Sequence, residues 1–350
     1  MLEEVRAALA RLPEANPQSP HAEGRAARAA LDAARDQAAA ALGASPGDLV
    51  WCSGGTEAVN LALLGAGRRL PPGRRVVTWA AEHQSVLGAV RELQAEGRPV
   101  LVLPVDGAAR ASAADIPEDA GLVSIGLANN EVGTLQPVAE IAARARRLGA
   151  LVHLDACQGG SWVRPPVELA DLVSFSGHKL GAGRGGLLLA RRDTPLLPLL
   201  FGGPQEWGRR AGREDVAAAV AVANALAVCR DRRAGWSAAA RPRAALLREA
   251  LAGLGARITG GEPRLPNFAT AAFARVKGED LVLSLDLAGI AVSSGSACAS
   301  GSLDPSHVLL AMGLSMPEAL GSLRLTAGPA TTEAEVELAR VALSGITALA

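Results

Sequence analysis

An α/β fold with a mostly parallel central sheet is predicted for this 350-residue chain. Three observations predict it: seven short, predominantly apolar runs, helical patterns between several of them, and polar or ionisable residues directly after five of them. Runs that are mostly apolar without alternation suit strands covered on both faces, as in a parallel sheet flanked by helices. They fall at 49–52, 76–79, 100–103, 122–127, 151–154, 172–175 and 186–189, with helical spacing at 56–65, 84–96 and 138–149. Ahead of them, residues 22–42 read as an amphipathic helix closed by Gly43. In such sheets ligands bind beyond the carboxyl ends of the strands. SGGTE (Ser53 to Glu57) follows the first run, and AEHQS, with His83, follows the second. ANNEVGT, with Asn130, follows 122–127. DACQ, with Asp155 and Gln158, follows 151–154, and SGHK, with Ser176, His178 and Lys179, follows 172–175. One site at the sheet's carboxyl edge accounts for all five. After the basic, small-residue stretch RDRRAGWSAAARPR (230–243), read as a bridge, comes a second region with a long helical pattern and shorter elements.

Composition narrows the class. The length and the 49% hydrophobic content suit two or three domains with a large core. Thirty-five basic residues balance 35 acidic ones, which gives no reason to expect a nucleic-acid partner or a polybasic membrane contact. The opening MLEEVRAALARLPEA lacks the apolar region of a secretory signal. The longest apolar run, near Ala217 to Val228, spans about 12 residues, against the ~20 that cross a membrane. Four widely spaced cysteines with no CxxC argue against a zinc ribbon or dithiol motif and favour a reducing compartment, the cytoplasm.

Only two of the 35 basic residues are lysines, Lys179 and Lys277. Arginine can replace lysine where charge alone matters, so a retained lysine points to chemistry that a guanidinium cannot do, such as imine formation with an aldehyde. Lys179, just past a strand end, is either that amine or a solvated loop lysine. Lys277, in VKGED, reads as a surface residue. In SGGTE, two glycines and then Thr56 open a helix, which makes either a phosphate cradle or an ordinary N-cap with a tight turn. Asp155 ends a buried strand and needs a cation or strong donors. A protonated pyridine nitrogen is one such partner; the other reading is a helix N-cap or structural aspartate. His83 either stacks on an aromatic ring and moves protons or is a satisfied buried histidine. Cys298 lies in SSGSACASGS, a polar Ser/Gly/Ala segment, and is the nucleophile candidate. Cys52 and Cys229 read as small buried hydrophobes, and Cys157 has no evident task.

Taken together, SGGTEAVNLAL, EHQSV, NNEVGTLQP, LDACQ, SFSGHK and SSGSACASGSLDPSHVL, in this order, resemble the cysteine desulfurases of the class V aminotransferase superfamily. These are pyridoxal-phosphate enzymes of fold type I. The resemblance runs from Asn16 to Thr332. It implies a large cofactor-binding domain over 16–233 and a smaller C-terminal α+β domain over 234–350, with residues 1–15 placed on the latter. It implies that Lys179 forms the Schiff base with pyridoxal 5'-phosphate, and that Gly55, Thr56, Ser176 and His178 hold the phosphate. Asp155 would pair with the pyridine nitrogen, Gln158 would contact the phenolic oxygen, and His83 would stack on the ring and shuttle protons. Asn130 and Arg324, in GSLRLTAG, would face the substrate carboxylate, and Cys298 would accept the sulfur.

The activity implied is removal of sulfur from L-cysteine, giving L-alanine and a persulfide on Cys298. The sulfur would pass to a protein acceptor, an iron–sulfur scaffold or a sulfur carrier, from a homodimeric enzyme. Two departures stand out. The family's GGGQExGxRxGT appears as FGGPQEWGRRAGRED, so Arg213 replaces the threonine that reaches the neighbouring subunit's phosphate. The arginine either binds that phosphate more strongly or alters the dimer contact. The family's N-terminal strand and ATTP-like turn beside the substrate have no counterpart in this sequence. A selenocysteine lyase or a class V aminotransferase would share the lysine and aspartate, but a transaminase has no use for Cys298. A catalytically silent scaffold is favoured by Arg213 and the short start, and opposed by the intact lysine, aspartate and cysteine. Cys298→Ala is expected to keep the yellow cofactor colour and lose sulfide release from L-cysteine; unimpaired sulfide release would remove Cys298 from the reaction.

Overall fold

The computed structural model describes residues 1–295 and 304–346. Cys298 therefore lies outside the described residues. The seven apolar runs become the strands of one sheet: β1 (Leu49–Cys52), β2 (Arg75–Trp79), β3 (Val100–Leu103), β4 (Ala120–Gly126), β5 (Leu151–Asp155), β6 (Leu172–Ser176) and β7 (Gly186–Ala190). Their order across the sheet is β1-β7-β6-β5-β4-β2-β3. The contacts β3–β2–β4–β5–β6 are all parallel, and β7 is antiparallel to both β6 and β1. One reversed strand in an otherwise parallel sheet matches the predicted class.

Both faces of the sheet are covered, which is why the strands are apolar on both sides. The helices before and between the strands are α1 (Glu3–Leu9), α2 (Ala22–Leu42), α3 (Gly55–Gly67), α4 (Gln84–Ala95), α5 (Val138–Arg147) and α6 (Gly177–Leu180); α7 (Val216–Gly253) follows β7. Val50, Val76, Leu122, Leu172 and Leu188 pack under α3 and α4. Val77, Val123, Val152, Leu154 and Phe175 pack under α2, α5 and α7. The helix read from the sequence over 22–42 is α2, and Gly43 closes it in the left-handed conformation (φ 66°) that a glycine C-cap adopts at little cost.

One expectation is corrected. Residues 1–15 were expected on the C-terminal unit, yet Val5 is buried in the core with Leu31 and Leu187. The Leu2 N–H also donates to the Gly181 carbonyl at 2.8 Å, so α1 belongs to the large sheet layer. The stretch 230–243, read as a bridge, lies in the middle of α7, a 38-residue helix with Pro242 inside it that runs from the core of the large sheet to that of the C-terminal unit. Its alanines and arginines are strong helix formers, which outweighs the small-residue, linker-like look.

Beyond α7 lie β8 (Arg257–Ile258), β9 (Phe268–Ala272), α8 (Gly278–Leu287), α9 (His307–Ala311), α10 (Met316–Leu320), β10 (Ser322–Thr326) and α11 (Glu333–Ile346). The three strands form an antiparallel sheet in the order β10-β9-β8. Leu247, Leu251, Leu281, Leu285, Leu323 and Val336 make its separate core. Among the described residues no helix is long and apolar enough to cross a membrane.

A buried ion pair ties α2 to the start of the sheet. Arg35 donates to the Leu49 carbonyl at 2.7 Å and to Glu206 at 2.6 Å, and Glu206 also accepts the Trp51 N–H at 3.0 Å. Glu206 and Trp207 both sit in the left-handed region (φ 50° and 56°), held there by this pair and by the guanidinium 4.5 Å over the Trp207 ring. Glu206→Ala, which leaves the Arg35 charge and the Trp51 N–H without their acceptor, is expected to lower unfolding free energy by about 3–5 kcal/mol in a urea titration.

Candidate active site

The register of the sheet brings the predicted residues to one edge. Gly126, Asp155 and Ser174 are neighbours across β4, β5 and β6, and Cys52, Gly186 and Ser176 are neighbours across β1, β7 and β6. Above them opens a cavity of about 300 Å³, which Gly55, Thr56, His83, Asn130, Asp155, Gln158, Ser176, His178 and Lys179 line together. Arg324 lies outside it but donates from Nη1 to the Asn130 carbonyl at 2.8 Å. Arg213 does not reach this cavity within one chain; it borders a separate cleft with Arg184 and Glu214.

One end of the cavity suits an anion. The N-cap of α3 is Gly54, which offers no side-chain acceptor to the first-turn N–H groups. Gly55 is required here by space: a Cβ would lie 2.7 Å from Cys157 Sγ and 2.9 Å from Ser176 Cβ. Opposite, Ser176 Oγ and His178 Nδ1 are 2.9 Å apart, and burial followed by the Lys179 charge lowers the His178 pKa. Lys179 rides on the single turn of α6, whose backbone is fixed by Ser161 Oγ donating to the Lys179 carbonyl at 2.9 Å.

Deeper in, Asp155 is 7% exposed, and its Oδ1 accepts the Cys157 N–H at 2.9 Å. His83 is the N-cap of α4: its Nδ1 accepts the Ser85 N–H at 3.1 Å, which leaves the ring proton on Nε2. Burial lowers its pKa, partly offset by Asp155, so the ring is neutral near pH 7. His153, on the same strand face as Asp155, is held between Ser124 and Ser174 hydroxyls at 2.9 Å each, and burial takes it down to about 4. Burial and then Asp155 push the Cys157 thiol up, so it stays protonated.

These groups fit pyridoxal 5'-phosphate: an uncapped helix start and hydroxyl for a phosphate, a buried carboxylate for a ring nitrogen, a primary amine for an aldehyde, and a neutral imidazole for a ring face. Two contributors were missed in the sequence. Asn129 accepts the Glu131 and Val132 N–H groups at 2.9 Å each and donates to the Ala81 carbonyl at 2.9 Å, which ties together the loops after β2 and β4. Glu82 accepts the Gly126 N–H at 3.0 Å inside the cavity wall. Burial pushes its carboxyl up to about 8, opposed by the Gly126 donor and aided by Asp155. A carboxylic residue three positions past the end of β2, beside a histidine, is the signal the sequence carries for it.

The Aminotransferase class-V family profile matches residues 3–338, and the chain belongs to that family, whose chemistry implies pyridoxal phosphate. Its relatives narrow the likeness to one activity. The putative cysteine desulfurase IscS 1 of Bacillus subtilis is 39% identical over 336 residues, covering 93% of this chain and 89% of the relative. The IscS-like cysteine desulfurase of Mycobacterium tuberculosis is 40% identical over 357 aligned residues, covering 96% and 90%. A solved NifS-like protein superposes with a TM-score of 0.91 at 30% identity, covering all of this chain and 96% of the other.

Glu82 carries a testable pH dependence. Its folded pKa is raised, so its contribution to stability is fully present below the ordinary carboxylate value of 4.5 and is lost as pH rises towards 8. Urea titrations of the cofactor-free protein should show stability falling by on the order of a few kcal/mol between pH 5 and 8, at ~1.4 kcal/mol per unit of pKa shift. Glu82→Gln should flatten that slope, and an unchanged slope would place the titrating group elsewhere.

Proposed function

We propose that this chain is a cysteine desulfurase that binds pyridoxal 5'-phosphate in the cavity at the sheet's carboxyl edge. The observation that carries the reading is the convergence of Lys179, Asp155, His83 and the uncapped start of α3 on that cavity. When bound, the cofactor supplies an electron sink next to the substrate's amino group. Lys179 is the amine that holds the cofactor aldehyde and then moves the substrate Cα proton. Gly55, Thr56, Ser176 and His178 would hold the phosphate, Asp155 would keep the ring nitrogen protonated, Gln158 would meet the phenolic oxygen, and neutral His83 would cover the ring. Asn130 and Arg324 orient the L-cysteine carboxylate.

Cys298 completes the reaction. Its thiolate forms a sulfur–sulfur bond with the substrate as the substrate carbon–sulfur bond breaks. A proton added to that carbon gives L-alanine, and the persulfide remains on Cys298. The other three thiols have raised pKa values because they are buried, which supports Cys298 as the nucleophile. A protein acceptor, an iron–sulfur scaffold or sulfur carrier, takes the sulfur onward. Cytoplasmic residence fits the three free thiols among the described residues. A homodimer fits the exposed Phe201 (83%) and Trp207 (57%) in the segment that leads to Arg213, where the partner's phosphate would be reached.

A visible spectrum of the purified protein before and after L-cysteine, with sulfide and alanine measured alongside, tests the reading. Expected is a yellow protein that yields alanine and cysteine-derived sulfur in equal amounts; a colourless protein, or keto-acid consumption in place of alanine release, would overturn it. After borohydride treatment and denaturation the cofactor should stay attached to the wild-type chain and not to Lys179→Ala. Retention in that variant would remove Lys179 from its role.

A further inference from the structure

The helix α9 is five residues long, yet two consecutive side chains fasten it to the wall of the cavity. Ser306, its N-cap, accepts the Leu309 N–H at 3.2 Å and donates to Glu131 Oε2. His307 Nε2 lies 2.9 Å from the Glu82 carbonyl oxygen, and its Nδ1 lies 3.1 Å from Gln84 Nε2. A carbonyl can only accept, so the proton is on Nε2 and Nδ1 accepts from the Gln84 amide. Beneath these bonds Val308, Leu309 and Met312 pack with Ala81 and Val132.

The two residues gripped have a common placement. Glu82 directly precedes His83, and Glu131 directly follows Asn130, both of which line the cavity. Asn129 joins the two wall segments by its bonds to the Ala81 carbonyl and the Glu131 N–H. The His83 ring is thus located from two sides: Ser85 N–H holds its Nδ1, and His307 holds the peptide that leads into it.

We propose that His307 is a positioning residue whose Nε2–H bond to the Glu82 carbonyl aims His83 into the cofactor cavity. His307 touches no group assigned to the reaction and acts through His83. This rests on the reading that the cavity holds pyridoxal 5'-phosphate against His83. Without the bond, the 82–83 peptide can rotate and the ring loses its fixed approach, although α9 keeps its apolar seat.

The test compares His307→Leu, which fills the space and cannot donate, with His307→Gln, which can donate, each alone and combined with His83→Ala. The readout is the dissociation constant of pyridoxal 5'-phosphate from absorbance titration of the cofactor-free protein, with the thermal midpoint recorded in parallel. His307→Leu is expected to weaken binding about fivefold, the effect of one hydrogen bond, and His307→Gln to stay within about twofold of wild type. In the His83→Ala background, His307→Leu should have no further effect, because the two residues act as one unit. Equal losses in both backgrounds, no loss in the wild-type background, or failure of His307→Leu to fold would overturn the proposal and leave His307 a structural residue. A wild-type chain that takes up no pyridoxal 5'-phosphate would overturn the proposed function as well, and is distinguished by that result alone.

Discussion

The carboxylate of Asp155 ends a strand that is covered on both faces, and a buried charge in that place needs compensation from whatever surrounds it. Its position follows from the sheet: β5 sits centrally between β4 and β6, all three running the same way. A parallel strand in such a sheet is mostly apolar along its length, so its ligand-binding groups collect at the carboxyl end. Gly126 on one side and Ser174 on the other leave room beside the carboxylate, and the loops after β1, β2, β4 and β6 close around it.

The groups near Asp155 are mostly kept uncharged. Glu82 holds its proton to about 8, His153 stays neutral down to about 4, and burial favours the neutral forms of His83 and Cys157. Among the described residues that line the cavity, Lys179 supplies the primary amine. Asp155 and Lys179, amid groups that are mostly neutral, make an arrangement in which a ligand bearing a cationic ring nitrogen and an aldehyde finds a distinct partner for each. The anion-suited end is built differently, from backbone N–H groups of α3 whose N-cap has no side chain.

The two cores are joined by covalent and polar continuity. The helix α7 begins against the large sheet with Val216 and Ala219 and ends in the C-terminal core with Leu247 and Leu251. The return contact is α9, seated on Ala81 and Val132, and Arg324 of β10 reaches the Asn130 carbonyl. The loops that carry His83 and Asn130 are therefore braced by residues far apart from them in sequence.

The sequence by itself determined the strands, the helix over 22–42 and the five polar strand ends, because each depends on local patterns: apolar runs, helical spacing, and short motifs that follow a strand. The scarcity of lysine singled out Lys179 without any structure. The tertiary structure decided the rest. The direction of β7, the seat of α1 on the large layer and the continuity of α7 through 230–243 depend on pairing and packing between distant segments, which no local window contains. Asn129, Glu82 and His307 stayed hidden for the same reason. Their roles come from bonds to backbone groups of other loops, and a hydrogen bond between residues 225 positions apart, as from His307 to the Glu82 carbonyl, leaves no mark on the sequence around either one.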